Sequence, residues 1–206
     1  MTRVYAILAS VLVLVGLAAG TFFAMRSTSG DRFADCRDVQ VAGGAATIGG
    51  PFTLTDGAGE RVTDAQAITG PTLVYFGYSY CPDICPMDLS RNALAAAALA
   101  ERGTSVGQVF ISIDPERDTP PVIRDFTAAI DPALVGLTGT PEEIAAAAKE
   151  YKVYYRKADD DPKYYLMDHS TFTYLMAPGQ GFLEFYPSDM SPDDVAKSVS
   201  CFAAEL

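Results

Sequence analysis

Basic residues are scarce in this sequence. Its 206 residues include 15 Lys and Arg against 26 Asp and Glu, which gives a formal net charge of -11. Because binding to phosphates requires a basic surface, this deficit argues against nucleic acid as a partner. An acidic surface suits a cationic or basic partner, although it more commonly serves to keep a protein soluble.

Residues that bind metals are also few. His169 is the only histidine, and the four cysteines are Cys36, Cys81, Cys85 and Cys201. Structural zinc sites usually take their four ligands from two closely spaced pairs, and there is no second pair here to join Cys81 and Cys85. The acidic turn at residues 159–161 lacks the glycine and the distal glutamate of an EF-hand, which argues against a calcium site of that type.

Charged residues are absent from the hydrophobic run at residues 4–25. The run is long enough to cross a bilayer as a helix. The apolar part of a cleaved signal peptide is usually only ~7 to 15 residues, so we expect an uncleaved membrane anchor at residues 1–26, with cleavage near residues 16–20 as the alternative. Arginines lie on both sides of the run and do not set its orientation.

The rest of the chain divides into a tether and one domain. Residues 27–50 are rich in small and polar residues and have little apolar periodicity, which is typical of a tether. Residues 51–206 are about one domain's worth of sequence. We therefore expect an anchor at residues 1–26, a tether at residues 27–50 and a folded domain at residues 51–206.

Strands and helices alternate within this domain, which indicates the α/β class. Residues 52–55 and 60–63 are predicted to form a β-hairpin, and residues 172–176 and 182–186 a second one. An apolar run at residues 72–78, without polar alternation, predicts a strand covered on both faces. A helix follows from Pro86, and a second buried strand follows at residues 109–113.

Cys81 and Cys85 lie between the first buried strand and this helix. Three interpretations fit two cysteines in such a loop: buried thiols, a redox disulfide, or a pair of soft metal ligands. Because Cys85 lies at or next to the helix N-terminus, we expect it to have the lowered pKa and to be the more reactive sulfur. Asp114 follows the second strand and should lie at the same edge of the sheet as Cys81. It either orients the site or caps a loop.

Cys36 and Cys201 lie at opposite ends of the sequence that follows the hydrophobic run. Chain termini are often close together in a domain, so a disulfide between them is geometrically reasonable. Such a bond persists in an oxidising compartment. Two unrelated thiols are the alternative.

Three ordered motifs carry a resemblance to the Sco/SenC family. They are GYSYCPDICP at residues 77–86, IDPERDTP at residues 113–120, and MDHS at residues 167–170 followed by YLM at residues 174–176. Three motifs in one order are far more specific than a single cysteine pair. The resemblance implies a thioredoxin-like domain, tethered to a membrane, that binds copper and helps to load the binuclear copper centre of cytochrome c oxidase.

The resemblance also implies the site. It identifies Cys81, Cys85 and His169 as copper ligands, whereas a lone histidine is otherwise more often an ordinary hydrogen-bonded residue. Asp114 and Asp168 are candidates for an outer layer around these ligands. Two thiolates suit Cu(I), and an added imidazole also holds Cu(II). For the methionines near these motifs we expect a role in core filling rather than copper contact: Met87, Met167 and Met176.

The expected function is that of a copper chaperone. Its partner is the copper-receiving subunit of cytochrome c oxidase, and its N-terminal helix crosses the inner membrane once with the domain on the periplasmic side, or the mitochondrial equivalent. The main alternative is a thiol-disulfide oxidoreductase in which Cys81 and Cys85 reduce the recipient's cysteines before metal loading. A peroxide-reducing enzyme is a third class. It ranks last, because nothing here resembles the Thr and Arg surroundings of such enzymes.

Overall fold

Strands and helices alternate along the folded part of the chain. The computed structural model describes residues 5, 13–17, 20–21, 32–38, 44, 47–158, 161 and 164–206. Within them the strands are β1 (Thr53–Asp56), β2 (Arg61–Thr63), β3 (Thr72–Gly77), β4 (Gly107–Ser112), β5 (Leu134–Thr138), β6 (Tyr155–Lys157), β7 (Met167–His169), β8 (Thr173–Ala177) and β9 (Gly181–Tyr186). The helices are α1 (Asp64–Ala67), α2 (Ile84–Ala100), α3 (Pro120–Ile130), α4 (Pro141–Glu150) and α5 (Pro192–Ala204).

Seven of these strands form one sheet, in the order β2-β1-β5-β4-β3-β8-β9. β3, β4 and β5 are parallel to one another, and the outer pairs are antiparallel. Every residue of β3 is buried, which explains why its sequence shows no polar alternation. Because the carboxyl ends of parallel strands meet at one edge, the residues that follow β3 and β4 are neighbours.

A second, two-stranded sheet stands apart from the first. It pairs β6 with β7, and the register places Tyr155 opposite His169. Its contacts with the main body include the N–H of Met167, which donates to the hydroxyl of Tyr78 at 3.2 Å. The histidine therefore belongs to a different sheet from the strand that leads to the cysteines.

Capping residues mark the starts of two helices. The Thr140 hydroxyl accepts the N–H of Glu143, whose carboxylate accepts the N–H of Thr140, and this capping box begins α4. The Ser191 hydroxyl accepts the N–H of Asp194 at the start of α5. Both predicted hairpins are present, as β1–β2 and β8–β9.

The compact unit that contains both sheets begins at Cys36 rather than at residue 51. Residues 1–35 form a separate unit, and residues 36–206 form this one. A disulfide joins Cys36 to Cys201 in α5, with their Cα atoms 5.7 Å apart. The N–H of Gly49 donates to the carbonyl of Glu150 at 2.9 Å. The stretch predicted as a tether at residues 27–50 thus overlaps the folded unit.

The predicted anchor at residues 1–26 lies mostly outside the described residues. Residues 5, 13–17 and 20–21 are described, and they are helical. Within the described part of the chain, no helix has the length and apolar character needed to cross a membrane.

Candidate metal centre

The two cysteines of the central motif lie side by side at the end of β3. Cys81 is in the loop, and Cys85 is in the first turn of α2. The N–H of Cys85 donates to the Sγ of Cys81 at 3.4 Å, so the first sulfur sits at the N-terminus of the helix. Both residues are free cysteines. Both residues are buried, but Cys81 is 8% exposed whereas Cys85 is 0% exposed, so Cys81 lies nearer the surface.

A buried carboxylate holds this loop in place. Asp118 accepts hydrogen bonds from the N–H and the hydroxyl of Ser79, and from the hydroxyl of Ser112 at 2.6 Å. Burial raises the pKa of Asp118, while these donors oppose that shift. The carboxylate thus ties the cysteine loop to the loop after β4. The two loops are neighbours because they follow parallel strands that end at the same edge of the sheet.

His169 reaches the cysteines from β7. Its Nδ1 lies 2.8 Å from the carbonyl oxygen of Ser170, and its Nε2 lies 3.5 Å from the Sγ of Cys85. Because a carbonyl only accepts, Nδ1 carries the proton and Nε2 presents its lone pair toward the sulfurs. The ring edges of Tyr75 and Tyr78 pack around the imidazole, with centroids 6.3 Å and 5.8 Å away.

The structure therefore brings the three predicted ligands together. Sγ of Cys81, Sγ of Cys85 and a ring nitrogen of His169 all lie within 4.8 Å of one another. Two sulfurs and one imidazole nitrogen form a donor set for a soft or borderline metal. The same two sulfurs are also close enough in sequence and space to act as a redox pair.

The two sulfurs differ in acidity in the opposite sense to our expectation. The hydrogen bond from Cys85 is the main cause that lowers the pKa of Cys81 to about 4; burial opposes this shift, and the backbone N–H groups of residues 83 and 85 add to it. The interaction with Cys81 and burial raise the pKa of Cys85. The expectation that Cys85 has the lowered pKa is wrong, because its side chain turns into the core while Cys81 receives the helix N–H.

Asp114 and Asp168 do not contact the sulfurs. Asp114 lies at the predicted edge of the sheet, but its carboxylate pairs with Arg117 and accepts the hydroxyl of Tyr165 at 2.6 Å. Asp168 is 49% exposed and pairs with Arg156 at 2.8 Å. Both carboxylates therefore fasten the segments next to the site and leave the metal ligands to the cysteines and the histidine.

Sequence reasoning missed two residues next to the ligands. Tyr75, in the middle of β3, looked like a simple core residue. Asp88 is buried in α2, where it accepts the hydroxyl of Ser188 at 2.7 Å and lies 3.4 Å from Arg91. Burial is the main cause that raises the pKa of Asp88. The available signal was the spacing of Asp88 and Arg91, which places opposite charges on one face of a helix.

The methionines divide between core and surface. Met167 and Met176 are buried, in keeping with core filling. Met87 is 62% exposed, so the expectation that it fills the core is wrong. It lies two residues after Cys85 and faces solvent on the first turns of α2.

Comparison with known proteins gives one consistent result. A family model described as SCO1/SenC matches residues 40–204. Protein SenC of Rhodobacter capsulatus is 52% identical over 205 residues, which cover 100% of this chain and 91% of that protein. The mitochondrial SCO1 homolog 1 of Arabidopsis thaliana is 43% identical over 157 residues, which cover 76% of this chain and 47% of that protein. The chain thus spans about half the length of this mitochondrial relative.

The fold agrees with the same family. The crystal structure of Arabidopsis thaliana ScoI, solved with copper bound, superimposes with a TM-score of 0.72 at 42% identity and covers 75% of this chain and 98% of that one. The expected mixed α/β, thioredoxin-like fold is confirmed by this likeness. With its motifs, its fold and its sequence relatives in agreement, the chain belongs to the SCO1/SenC family.

Proposed function

We propose that this chain is a copper chaperone that delivers copper to the copper-receiving subunit of cytochrome c oxidase. The observation that carries the proposal is the convergence of Cys81, Cys85 and His169. Copper is the cargo, and these three residues are its ligands. Membership of the SCO1/SenC family, in which Arabidopsis ScoI has been solved with copper bound, supports the choice of metal.

The donor set suits both oxidation states of copper. Two thiolates favour Cu(I), and the imidazole nitrogen adds the ligand that Cu(II) requires. The bond from Nδ1 of His169 to the Ser170 carbonyl fixes the ring so that Nε2 is free to bind. Cys81 is already a thiolate near neutral pH, whereas Cys85 must release its proton when the metal binds.

The exposed residues next to the cysteines support transfer to another protein. Tyr80 and Met87 flank the cysteines and are 56% and 62% exposed. A recipient that docks on this rim brings its own ligands next to Cys81. Copper then passes by ligand exchange, in which each bond to the recipient replaces one to this chain.

The proposal includes a membrane location. Residues 1–26 anchor the chain, residues that follow serve as a tether, and the domain faces the periplasm or the equivalent mitochondrial space. The disulfide between Cys36 and Cys201 supports an oxidising compartment, since such bonds are rare where thiols are kept reduced.

A thiol-disulfide oxidoreductase is the second candidate, and the unequal acidity of the sulfurs favours it. The Cys81 thiolate attacks a disulfide of the recipient, forms a mixed disulfide and displaces one recipient thiolate. Cys85 then loses its proton and attacks the Cys81 sulfur, which releases the second recipient thiolate. The recipient gains two electrons, and Cys81 and Cys85 become a disulfide.

Copper binding by histidine variants tests the main proposal. We expect the reduced wild-type protein to bind one Cu(II) with an intense thiolate-to-copper absorption band. His169→Ala should lose most of this Cu(II) affinity and change the band, because one of three ligands is gone. Asp168→Asn is the matched control and should resemble wild type, since its carboxylate faces Arg156. Unchanged Cu(II) affinity and spectrum in His169→Ala would refute the proposed site.

Reduction of a disulfide-bonded recipient tests the second candidate, the thiol-disulfide oxidoreductase. Cys81→Ser should abolish the reduction, because it removes the attacking sulfur, and His169→Ala should largely preserve it. Equal reduction by wild type and by the double variant with serine at positions 81 and 85 would eliminate the oxidoreductase.

A further inference from the structure

Tyr75 places a hydroxyl group in the core beside the metal centre. The residue lies in the middle of β3 and is completely buried. Its hydroxyl oxygen is enclosed and makes no hydrogen bond of normal geometry to the residues that the structure describes. A buried polar group without a partner costs stability, and such groups in native structures call for an explanation.

Burial, followed by the charges of Cys85 and Asp88, raises the pKa of the Tyr75 hydroxyl, so these two groups are its closest ionisable neighbours. Gly77 shows how closely the ring and the sulfur are packed. A Cβ atom at this glycine would lie 2.8 Å from the Sγ of Cys85 and 3.0 Å from Cε1 of Tyr75. The tyrosine ring also packs at 88° against His169. The Tyr75 ring thus lies beside both the Cys85 sulfur and the His169 imidazole.

The two neighbours differ in whether they already have hydrogen-bond partners. Asp88 already accepts the hydroxyl of Ser188 and pairs with Arg91. The sulfur of Cys85 is enclosed and receives no hydrogen bonds from bulk water. A thiol is a weak acceptor, but a thiolate is a strong one, because hydrogen bonds to charged acceptors are shorter and stronger than neutral ones. The need for a donor at Cys85 therefore arises when a metal replaces the thiol proton.

We propose that the Tyr75 hydroxyl donates a hydrogen bond to the Cys85 sulfur when that sulfur is a metal-bound thiolate. Tyr75 is then a positioning residue for the copper site, and its hydroxyl is left without a partner while Cys85 is a thiol. This inference rests on the proposed copper site. It assigns a role to the buried face of that site, opposite the surface through which the metal enters.

A donor on the thiolate has two measurable effects. It lowers the energy of the sulfur electrons, so the thiolate-to-Cu(II) absorption moves to shorter wavelength. It also holds the ligand in the binding orientation, as groups behind metal ligands generally do. Removal of the hydroxyl should move the band to longer wavelength and weaken Cu(I) binding by roughly 10-fold or more, the range seen when such outer partners are lost.

The test compares Tyr75→Phe with Tyr186→Phe in the full chain. Both variants remove one buried tyrosine oxygen, but the Tyr186 hydroxyl bonds to Ser198 on α5, away from the cysteines. The measurements are the Cu(II) absorption spectrum, Cu(I) affinity by competition with a chromogenic chelator, and thermal unfolding of the copper-free protein. We expect Tyr75→Phe alone to shift the band and weaken Cu(I) binding, without a matching loss of thermal stability.

Three other results would overturn the role of Tyr75, and only the last of them would also overturn the copper site. If wild type shows the band and Tyr75→Phe matches it in position and affinity, the role of Tyr75 is overturned and the copper site stands. Equal shifts in both variants overturn it too, because the effect then follows from any lost core hydroxyl. If wild type shows no thiolate band, the copper site itself is overturned, and the role of Tyr75 falls with it.

Discussion

Cys81 and Cys85 are four positions apart in sequence and unlike in chemistry. The first receives a backbone N–H at the start of α2 and is slightly exposed, and the second is enclosed by core side chains. The thiolate of Cys81 is stabilised by these donors, and the thiol of Cys85 is favoured by burial. A single helix terminus thus divides the pair into an attacking sulfur and an enclosed one.

Alkylation of Cys81 tests this division. An ordinary cysteine has a pKa of about 8.5, so its reaction with iodoacetamide slows nearly tenfold per pH unit below that value. The pKa of Cys81 is lowered to about 4, so its rate in the reduced protein should be nearly constant from about pH 8 to about pH 6. In Cys81→Ser, the remaining modification at Cys85 should rise with pH. A steep rise for Cys81 across the same range would contradict the assignment.

Gly77 is the second residue on which the site depends. Any Cβ there meets the Sγ of Cys85 at 2.8 Å, a distance that real Cβ atoms essentially never adopt. Gly77→Ala should lower the free energy of unfolding by roughly 1–3 kcal/mol and weaken Cu(I) binding, because the sulfur must move. Urea denaturation and chelator competition measure the two effects. Gly70→Ala is the control, since nothing lies within 4 Å of a Cβ at that position.

At the scale of single residues, the motifs predicted which residues are the ligands, but they did not predict the chemical environment of those ligands. Residues 81, 85 and 169 could be proposed because the family resemblance names residue types in order. The acidity of the two sulfurs could not be assigned, because it depends on which side chain turns inward at the helix start. Asp114 was placed at the correct edge, and its partner Arg117 is only three residues away, but Tyr165 comes from a distant segment whose approach the sequence does not reveal.

Among the secondary-structure elements, the β6–β7 hairpin has the most direct link to function, because it carries His169. Its connection is fastened by Arg117, which donates to the carbonyl of Tyr165 at 2.9 Å and stacks on its ring, with the guanidinium carbon 3.6 Å from the ring centroid. The same guanidinium pairs with buried Asp114. The position of the imidazole therefore depends on a contact outside the metal centre.

Arg117→Ala should loosen this hairpin. The change leaves Asp114 buried without its cation, so we expect the free energy of unfolding to fall by about 3 kcal/mol. Cu(II) affinity should fall more than Cu(I) affinity, because the nitrogen ligand is lost while the sulfurs stay in place. Chemical denaturation and copper titrations check both points.

Arg156→Ala is the matched control for Arg117→Ala. Its partner Asp168 is half-exposed and Arg156 is more exposed still, so the loss should be at most about 1 kcal/mol. An equal loss of Cu(II) affinity in both variants would mean that the Arg117 contact has no special role.

Element prediction succeeded where signals are local and failed where pairing is distant. The β1–β2 hairpin and the buried strand β3 follow from turn residues and an apolar run. The β6–β7 sheet was not predicted, because each strand has only three residues. Strands that short carry too little alternation to show which segments pair.

At the scale of the whole molecule, the Cys36–Cys201 disulfide closes a loop of 165 residues. In the chain-entropy model, such a loop contributes about 5 kcal/mol by restricting the unfolded chain. The double variant with serine at positions 36 and 201 should lose roughly 2–5 kcal/mol in urea denaturation and keep its copper spectrum, because neither cysteine belongs to the ligand cluster. A lost copper band in a variant that remains folded would contradict this separation of roles.

The three ligands are divided between two sheets. The sulfurs follow the central strand of the large sheet, whereas the imidazole belongs to a pair of three-residue strands outside it. The imidazole could therefore move with its hairpin without opening the hydrogen-bond ladder of the large sheet, but Tyr165 and Met167 would have to leave the core. On the copper function proposed above, a recipient that moved this hairpin would displace His169 first, and Cys81 and Cys85 would still hold the metal.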